Sequence, residues 1–184
     1  MFDFNGTLSH DEPLLLGIYQ RLFARQGRLL TEEQYFGQLA GLSEATIIGS
    51  WLGVPGAPLE ALMAERIESY VAAADGSTVT EAVRAAVRHA AERVPVAIVS
   101  GAYRAEIVPV VEASRLATEL TAIITADDVA HGKPHPEGYL LALERLGVEA
   151  SEAVALEDTE AGVASAKAAG LYCVAVRGTP PDAR

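Results

Sequence analysis

Four polar clusters in the chain have residue types suited to chemistry on an anion: Asp3-Phe4-Asn5-Gly6-Thr7, Ser100-Gly101, Lys133 in a Gly-Lys-Pro turn, and Glu157-Asp158. An aspartate can take a phosphoryl group only where the repulsion between two anions is overcome. A Mg²⁺ ion held by Asp3 and Asp158, with Glu157 in or beside its shell, would do this. Lys133 would add a second positive charge, and the Ser100 hydroxyl with nearby backbone N–H groups would bind phosphoryl oxygens. The chain has only two lysines, Lys133 and Lys167, so a lysine in this turn stands out.

Taken alone, each cluster has a plain structural reading: an aspartate at a turn, a Ser-Gly loop, a surface lysine, acids at a helix N-terminus. Their common placement argues against four coincidences. Each follows an apolar run that reads as a strand: Met1-Phe2 before Asp3, 94–99 before Ser100, 121–125 upstream of Lys133, and 153–156 before Glu157. A further run spans 171–176. The runs are continuous rather than alternating, as in a parallel sheet covered on both faces. Helical segments lie between them at 80–93, 137–146 and 160–169, the last two stopped by Gly147 and Gly170. Strand–helix alternation predicts an α/β fold with a doubly wound parallel sheet, and there ligands bind at the carboxyl ends of the strands.

Only Met1 and Phe2 precede Asp3, whereas a strand usually has about five or six residues. The expectation is either a natural chain with a few more residues ahead of Met1 or a stub beside the site. At the other end, Thr179-Pro180-Pro181 will not extend a helix.

Residues 11–76 have a different texture. Leu14, Leu15, Ile18, Leu22 and Phe23 form one stripe at helical spacing, and Leu59, Leu62, Met63, Ile67 and Tyr70 form another. Both stripes, and Trp51, read as packing. This region is expected to be a helical insert after the first strand, which divides the chain into a core of 1–10 and 77–184 and an insert of 11–76.

Half of the 184 residues are hydrophobic, enough for one sizeable core with a small insert. Asp and Glu number 25 against 14 Lys and Arg, a net charge of −11 that disfavours phosphate-backbone attraction, so no nucleic-acid partner is expected. No run approaches the ~20 apolar residues of a membrane span, and no signal-peptide pattern opens the chain. The lone Cys173 lies in an apolar run and reads as a buried strand residue in a reducing compartment. A cytoplasmic protein with no membrane partner, monomeric or homodimeric, is expected.

With these motifs placed, the sequence resembles the haloacid dehalogenase superfamily, in its branch of phosphatases and β-phosphoglucomutase-like enzymes with an inserted helical cap. The resemblance rests on Asp-Phe-Asn-Gly-Thr-Leu at 3–8, Ile-Val-Ser-Gly at 98–101, Gly-Lys-Pro-His-Pro-Glu at 132–137 and Leu-Glu-Asp-Thr-Glu-Ala-Gly-Val at 156–163. It implies a Rossmann-like core and Asp3 as nucleophile. Ser100 and Lys133 would be catalytic partners, and Gly6, Thr7 and Gly101 would join them at the phosphate. Asp3, Asn5, Glu157 and Asp158 would hold Mg²⁺, and the cap would select a small-molecule phosphate ester.

One position departs from the pattern. The family's phosphatases carry an aspartate where this chain has Asn5, to protonate the leaving alcohol and then activate water. An amide can do neither, though its backbone carbonyl can still bind magnesium. Loss of a general acid or base costs about 10² to 10⁴ in rate. The sequence reading is therefore a slow phosphatase, one whose leaving groups need no proton, or one with another acid such as Asp11, Glu12 or the substrate itself. A weak or inactive phosphate- and magnesium-binding protein is the alternative, and deamidation at Asn5-Gly6 would restore the acid.

Neighbouring chemistries fit less well. The phosphonate-cleaving branch needs a cap lysine, and residues 11–76 contain none. A dehalogenase would tolerate Asn5 but needs no magnesium pair such as Glu157-Asp158. A mutase would place a basic residue near Gly41-Leu42-Ser43-Glu44 and a histidine where Leu15 stands. Of the histidines, His89 reads as surface or packing, His131 and His135 as solvated loop residues flanking Lys133, and His10 as part of the hinge.

Overall fold

The computed structural model describes residues 1–40 and 42–176, so the reading of Thr179-Pro180-Pro181 and the Gly41 part of the cap motif lie outside the described residues. The chain divides into two compact units, one made of Met1–Asp11 with the chain from Ala74 onward, the other of Glu12–Ala73.

The first unit is built on parallel strands. β1 (Ala97–Val99) pairs with β2 (Ala122–Ile124), and β3 (Val154–Glu157) pairs with β4 (Tyr172–Ala175). Phe2 joins the two pairs through parallel bridges to Ile98 and Leu156. Its N–H donates to Ala97 O at 2.9 Å and its carbonyl accepts from Val99 N–H at 2.9 Å. On the other side Asp3 N–H donates to Leu156 O and Leu156 N–H to Met1 O, both at 3.0 Å. The order is therefore β2, β1, the Met1–Asp3 stub, β3, β4. In this central place the neighbours on both sides take up the ladder bonds of these residues.

The runs at 94–99, 121–125 and 171–176 each contain a shorter strand, and the run at 153–156 gives one of equal length shifted by one residue. The run at 94–99 keeps only its last three residues: Val94 and Pro95 are exposed, and Pro95 has no N–H to give to a ladder. The expectation of a sheet covered on both faces fails at β4. Tyr172 is 74% and Val174 41% exposed, and Cys173 is half-buried rather than buried. Among the described residues β4 pairs only with β3, so it is an edge strand and lacks the burial of a central one.

The helices of this unit are α5 (Glu81–Ala91), α6 (Arg104–Ala113), α7 (Glu137–Leu146) and α8 (Glu160–Ala168), numbered after four in the insert. Thr80 caps α5, its hydroxyl accepting from Val83 N–H. α7 ends at Gly147 in the left-handed region, as its sequence predicts. α7 packs on β1 and β2, and α8 on β3 and β4. Between strands and helices lies a core of Ala97, Val99, Ile124, Tyr139, Ala142, Ala155 and Ala166. The small residues Ala142 and Ala166 let the helices approach the sheet closely.

The second unit is all helical. It comprises α1 (Glu12–Arg25), the short α2 (Glu32–Gln34) running into a π-turn at Tyr35–Leu39, α3 (Glu44–Leu52) and α4 (Ala57–Ala73). The α1 stripe buries Leu15, Ile18, Leu22 and Phe23 against α4, whose Leu62 and Tyr70 are buried. Trp51 packs as expected, its ring stacked 6.3 Å from that of Phe23. Where the mutase pattern asks for a free basic group near residue 44, Glu44 is buried in an ion pair with Arg66. The Arg66 guanidinium also lies over the Tyr19 and Tyr70 rings at 5.6 and 5.5 Å. No helix of the described residues is long and apolar enough to cross a membrane.

Candidate functional site

Three carboxylates and one ammonium meet at the carboxyl ends of the central strands. Asp3 ends the Met1–Asp3 segment, Glu157 ends β3, and Asp158 is the next residue. Ligand oxygens of the three lie within 4.8 Å of one another. Lys133 reaches in from the loop after β2. Its Nζ is 2.5 Å from Asp3 Oδ1, 2.5 Å from Glu157 Oε1 and 3.0 Å from Val99 O, which uses all three of its N–H donors.

Burial shapes the charges. Asp3 is 7% exposed and Glu157 fully buried. Burial, and then the Asp3 carboxylate, push the Glu157 carboxyl up to about 7, against the pull of Lys133 and Tyr139. The same two causes raise Asp158 to about 6. Desolvation works against the Lys133 charge, yet Asp3 and Glu157 more than offset it and hold the ammonium above its usual range. One cation is thus set against three anions, an arrangement short of positive charge.

The donor set and the packing fit a small hard cation. All three side chains offer oxygens, which Mg²⁺ prefers. Glu157 Oε2 is buried with no hydrogen-bond partner among the described residues. Two glycines make room for the acids. Gly6 sits at φ +77°, and a Cβ there would stand 2.0 Å from Asp158 Oδ2; position 6 thus needs glycine both for its backbone and for space. Thr7 Oγ1 donates to Asp158 Oδ1 at 3.3 Å and steadies the same carboxylate.

Gly162, in α8, has ordinary helical backbone, but a Cβ on it would fall 1.8 Å from Glu157 Oε2. Helix propensity alone favours Gly162→Ala by about 1 kcal/mol. The clash reverses that: the carboxylate must leave Lys133 and Tyr139, and a net loss of about 1–3 kcal/mol is expected from such overpacking. Thermal unfolding of Gly162→Ala measures it, and a raised Tm would show that Glu157 needs no such fit.

The remaining expected site residues are placed as follows. Ser100 is buried after β1, its Oγ accepting from Ala102 N–H at 3.1 Å, so that its hydroxyl hydrogen faces away from that bond. Gly101 is exposed beside it. Asn5 is half-buried, and its Nδ2 donates to Asp11 Oδ2 at 2.9 Å. Glu12, the other acid considered, belongs to the second unit and accepts from the Tyr35 hydroxyl at 2.8 Å. His131 and His135 are exposed, their rings 4.8 Å apart, with Glu137 between them holding Ala130 and His131 N–H groups. His89 is exposed on α5.

Tyr139 belongs to the site and was not among the residues singled out from sequence. Fully buried on α7, it donates from its hydroxyl to Glu157 Oε1 at 2.5 Å, and its ring lies 5.6 Å from Lys133 Nζ. Burial, with the Glu157 charge beside it, raises the phenol far above its ordinary range, so it stays a donor. The only sequence signal was an aromatic in the first turn of the helix after Gly-Lys-Pro, which is also how a core residue reads.

Comparison with known proteins bears on this geometry. A family model described as haloacid dehalogenase-like hydrolase matches residues 1–170. The chain is 33% identical over 185 residues to the validoxylamine A 7'-phosphate phosphatase of Streptomyces hygroscopicus subsp. limoneus, covering 97% of this chain and 85% of that one. It is 30% identical over 182 residues to a phosphorylated carbohydrates phosphatase of Thermotoga maritima, covering 93% and 81%. Among solved structures it is similar to an Asp-to-Asn mutant of CbbY from Rhodobacter sphaeroides in complex with xylulose-(1,5)bisphosphate. That similarity has a TM-score of 0.85 and 26% identity and covers 97% of this chain and 85% of the other.

Proposed function

Because the chain belongs to the haloacid dehalogenase-like hydrolases, we propose that it is a magnesium-dependent phosphatase of a small phosphorylated metabolite, working through an aspartyl-phosphate on Asp3. The observation that carries this is Lys133 Nζ held 2.5 Å from both Asp3 Oδ1 and Glu157 Oε1, with Asp158 in the same cluster. The named relatives, phosphatases of validoxylamine A 7'-phosphate and of phosphorylated carbohydrates, support a phosphatase that acts on a small phosphorylated metabolite.

Asp3, Asp158 and the Asn5 backbone carbonyl would hold Mg²⁺, with Glu157 in or beside its shell; the ion supplies the positive charge that lets an anionic nucleophile meet an anionic phosphate. Lys133 fixes Asp3 Oδ1, which leaves Oδ2 free to attack phosphorus, and Glu157 with Tyr139 fixes Lys133. The Ser100 hydroxyl and the backbone N–H of Gly101 serve the phosphoryl oxygens, whose charge grows in the transition state, whereas the Gly6 N–H is committed to Ser9 O and the Thr7 hydroxyl to Asp158. A Ser100 hydroxyl already accepting from Ala102 N–H has its own proton to give.

Phosphate release is to be measured over sugar, nucleotide and acyl phosphates, with Mg²⁺ present and with the ion removed by a chelator. Turnover is expected with magnesium and a fall to background without it, together with a rise in Tm when the ion is added, because it relieves three clustered carboxylates. Asn5 favours a second reading, a phosphate- and magnesium-binding protein with little turnover. That reading gains if Mg²⁺ and phosphate raise Tm while no substrate in the panel is hydrolysed.

A further inference from the structure

The loop from Asn5 to Asp11 is closed on itself. Gly6 N–H donates to Ser9 O at 2.8 Å, and Asn5 and Ser9 form a parallel bridge. Ser9 is fully buried, its hydroxyl donating to Thr78 Oγ1 at 2.8 Å, and His10 N–H donates to Thr78 O at 2.8 Å. Asp11, 0% exposed, ends this loop and accepts from the Asn5 amide at 2.9 Å. Asn5 is therefore tied through its side chain to a buried acid, in a loop whose other turns are pinned to Thr78.

We propose that Asn5 and Asp11 form one coupled pair with room for a single carboxylate, carried by Asp11, and that this sets the substrate class as phosphate compounds whose leaving group departs unprotonated: aryl, enol or acyl phosphates. The proposal rests on the phosphatase reading above. Its physical basis is complementarity. An ionised carboxylate only accepts hydrogen bonds, and of the two side chains only an amide can donate one to it. An aspartate at position 5 would bring two carboxylate oxygens to about 2.9 Å in a buried loop, where repulsion is weakly screened. Asp11 is a positioning residue here: it orients the Asn5 amide and touches no substrate.

The chemistry balances without an acid at position 5. An Asp3 oxygen bonds to phosphorus, the bond from phosphorus to the leaving oxygen breaks, and its electron pair leaves on that oxygen as an oxyanion. Water then attacks phosphorus, the bond to Asp3 breaks to return the carboxylate, and both water protons leave with the product as dihydrogen phosphate. The first step is fast only where the departing oxyanion is stable.

The test uses four full-length proteins: the parent, Asn5→Asp, Asp11→Asn and the double variant. For each, kcat/KM is measured with magnesium across aryl phosphates of increasing phenol pKa, and Tm is measured separately. The parent and Asp11→Asn are expected to lose rate steeply as the phenol becomes less acidic. Asn5→Asp alone is expected to lower Tm and to gain at most a few-fold. The double variant is expected to regain Tm and to gain about 10²-fold on the poorest leaving group, with a shallower slope.

A hundredfold gain in Asn5→Asp with unchanged Tm would overturn the coupling. A slope that steepens in Asp11→Asn would show Asp11 itself donating the proton and would overturn its positioning role. If no protein hydrolyses any aryl phosphate while the parent turns over sugar phosphates, the substrate class fails and the phosphatase reading stands; no turnover on aryl, sugar, nucleotide or acyl phosphates overturns both. The Tm values then still decide the pair: additive effects of the two substitutions overturn the coupling, and non-additive ones sustain it.

Discussion

Asp3→Ala is expected to lower magnesium-dependent phosphate release by at least about 10⁴-fold while leaving a folded protein. The size follows from what is removed: without a carboxylate oxygen at this place no covalent phosphoryl-enzyme forms, and losses from deleting a nucleophile are generally of this order or larger. Folding should survive because Asp3 contributes to the sheet through its backbone, whose N–H donates to Leu156 O at 3.0 Å. Lys133 keeps Glu157 and the Val99 carbonyl as partners, and one of three mutually repelling carboxylates is gone. Phosphate release and thermal unfolding on the same sample separate the two effects. Turnover within tenfold of the parent would remove Asp3 from its role as nucleophile.

Lys133→Met is expected to damage both stability and activity. The ammonium lies between Asp3 and Glu157 with 16% of its side chain exposed, so truncation leaves two buried carboxylates facing each other with no cation. Breaking a buried ion pair from one side costs about 3–5 kcal/mol, which in a chain of this length lowers Tm by roughly 6–20 °C. Activity should fall by about 10² to 10³, the usual cost of losing one charged group aimed at the reacting centre. Magnesium should recover part of the lost Tm, since it returns positive charge to the same oxygens. Lys133→Arg is not expected to restore activity, because a planar fork does not match donors arranged around Asp3, Glu157 and Val99 O. Unfolding of each protein with and without Mg²⁺ checks this, and an unchanged Tm in Lys133→Met would mean that the pair carries no stability.

Much of the site was legible because its chemistry is local. Asp3, Ser100 and Glu157-Asp158 each end an apolar run, and a strand's end can be read from a change in residue type without knowing the strand's neighbours. Gly6 announced a turn, and the scarcity of lysine drew attention to Lys133. Three helices of the first unit were equally plain, α7 running from Glu137 to the Gly147 stop and α5 beginning at the Thr80 cap, whereas α6, which carries Pro109 inside it, was not singled out. The insert was recognisable from its stripes, since helical period and the lack of strand-like runs are properties of short windows.

Other features depend on pairs of residues far apart in the chain. The central place of Met1–Asp3 is set by β1 and β3, which close on it from both sides, and a two-residue apolar start says nothing of that. β4 has the composition of a buried strand, yet its place at the edge leaves Tyr172 and Val174 exposed; burial belongs to position in the sheet, not to residue type. Tyr139 is a core residue, and its hydroxyl meets Glu157, 18 positions away, only when α7 lies on the sheet. Gly162 has ordinary helical backbone, and its need for glycine comes only from the Glu157 carboxylate that occupies the space of its Cβ. By itself the sequence determined which groups are available for the proposed phosphoryl chemistry and that position 5 carries an amide, because residue identity carries that information. Only the tertiary structure decided that Lys133 spans two carboxylates and that Asn5 is bound to Asp11, because hydrogen bonds and close contacts are set by three-dimensional distances that spacing along the chain does not encode.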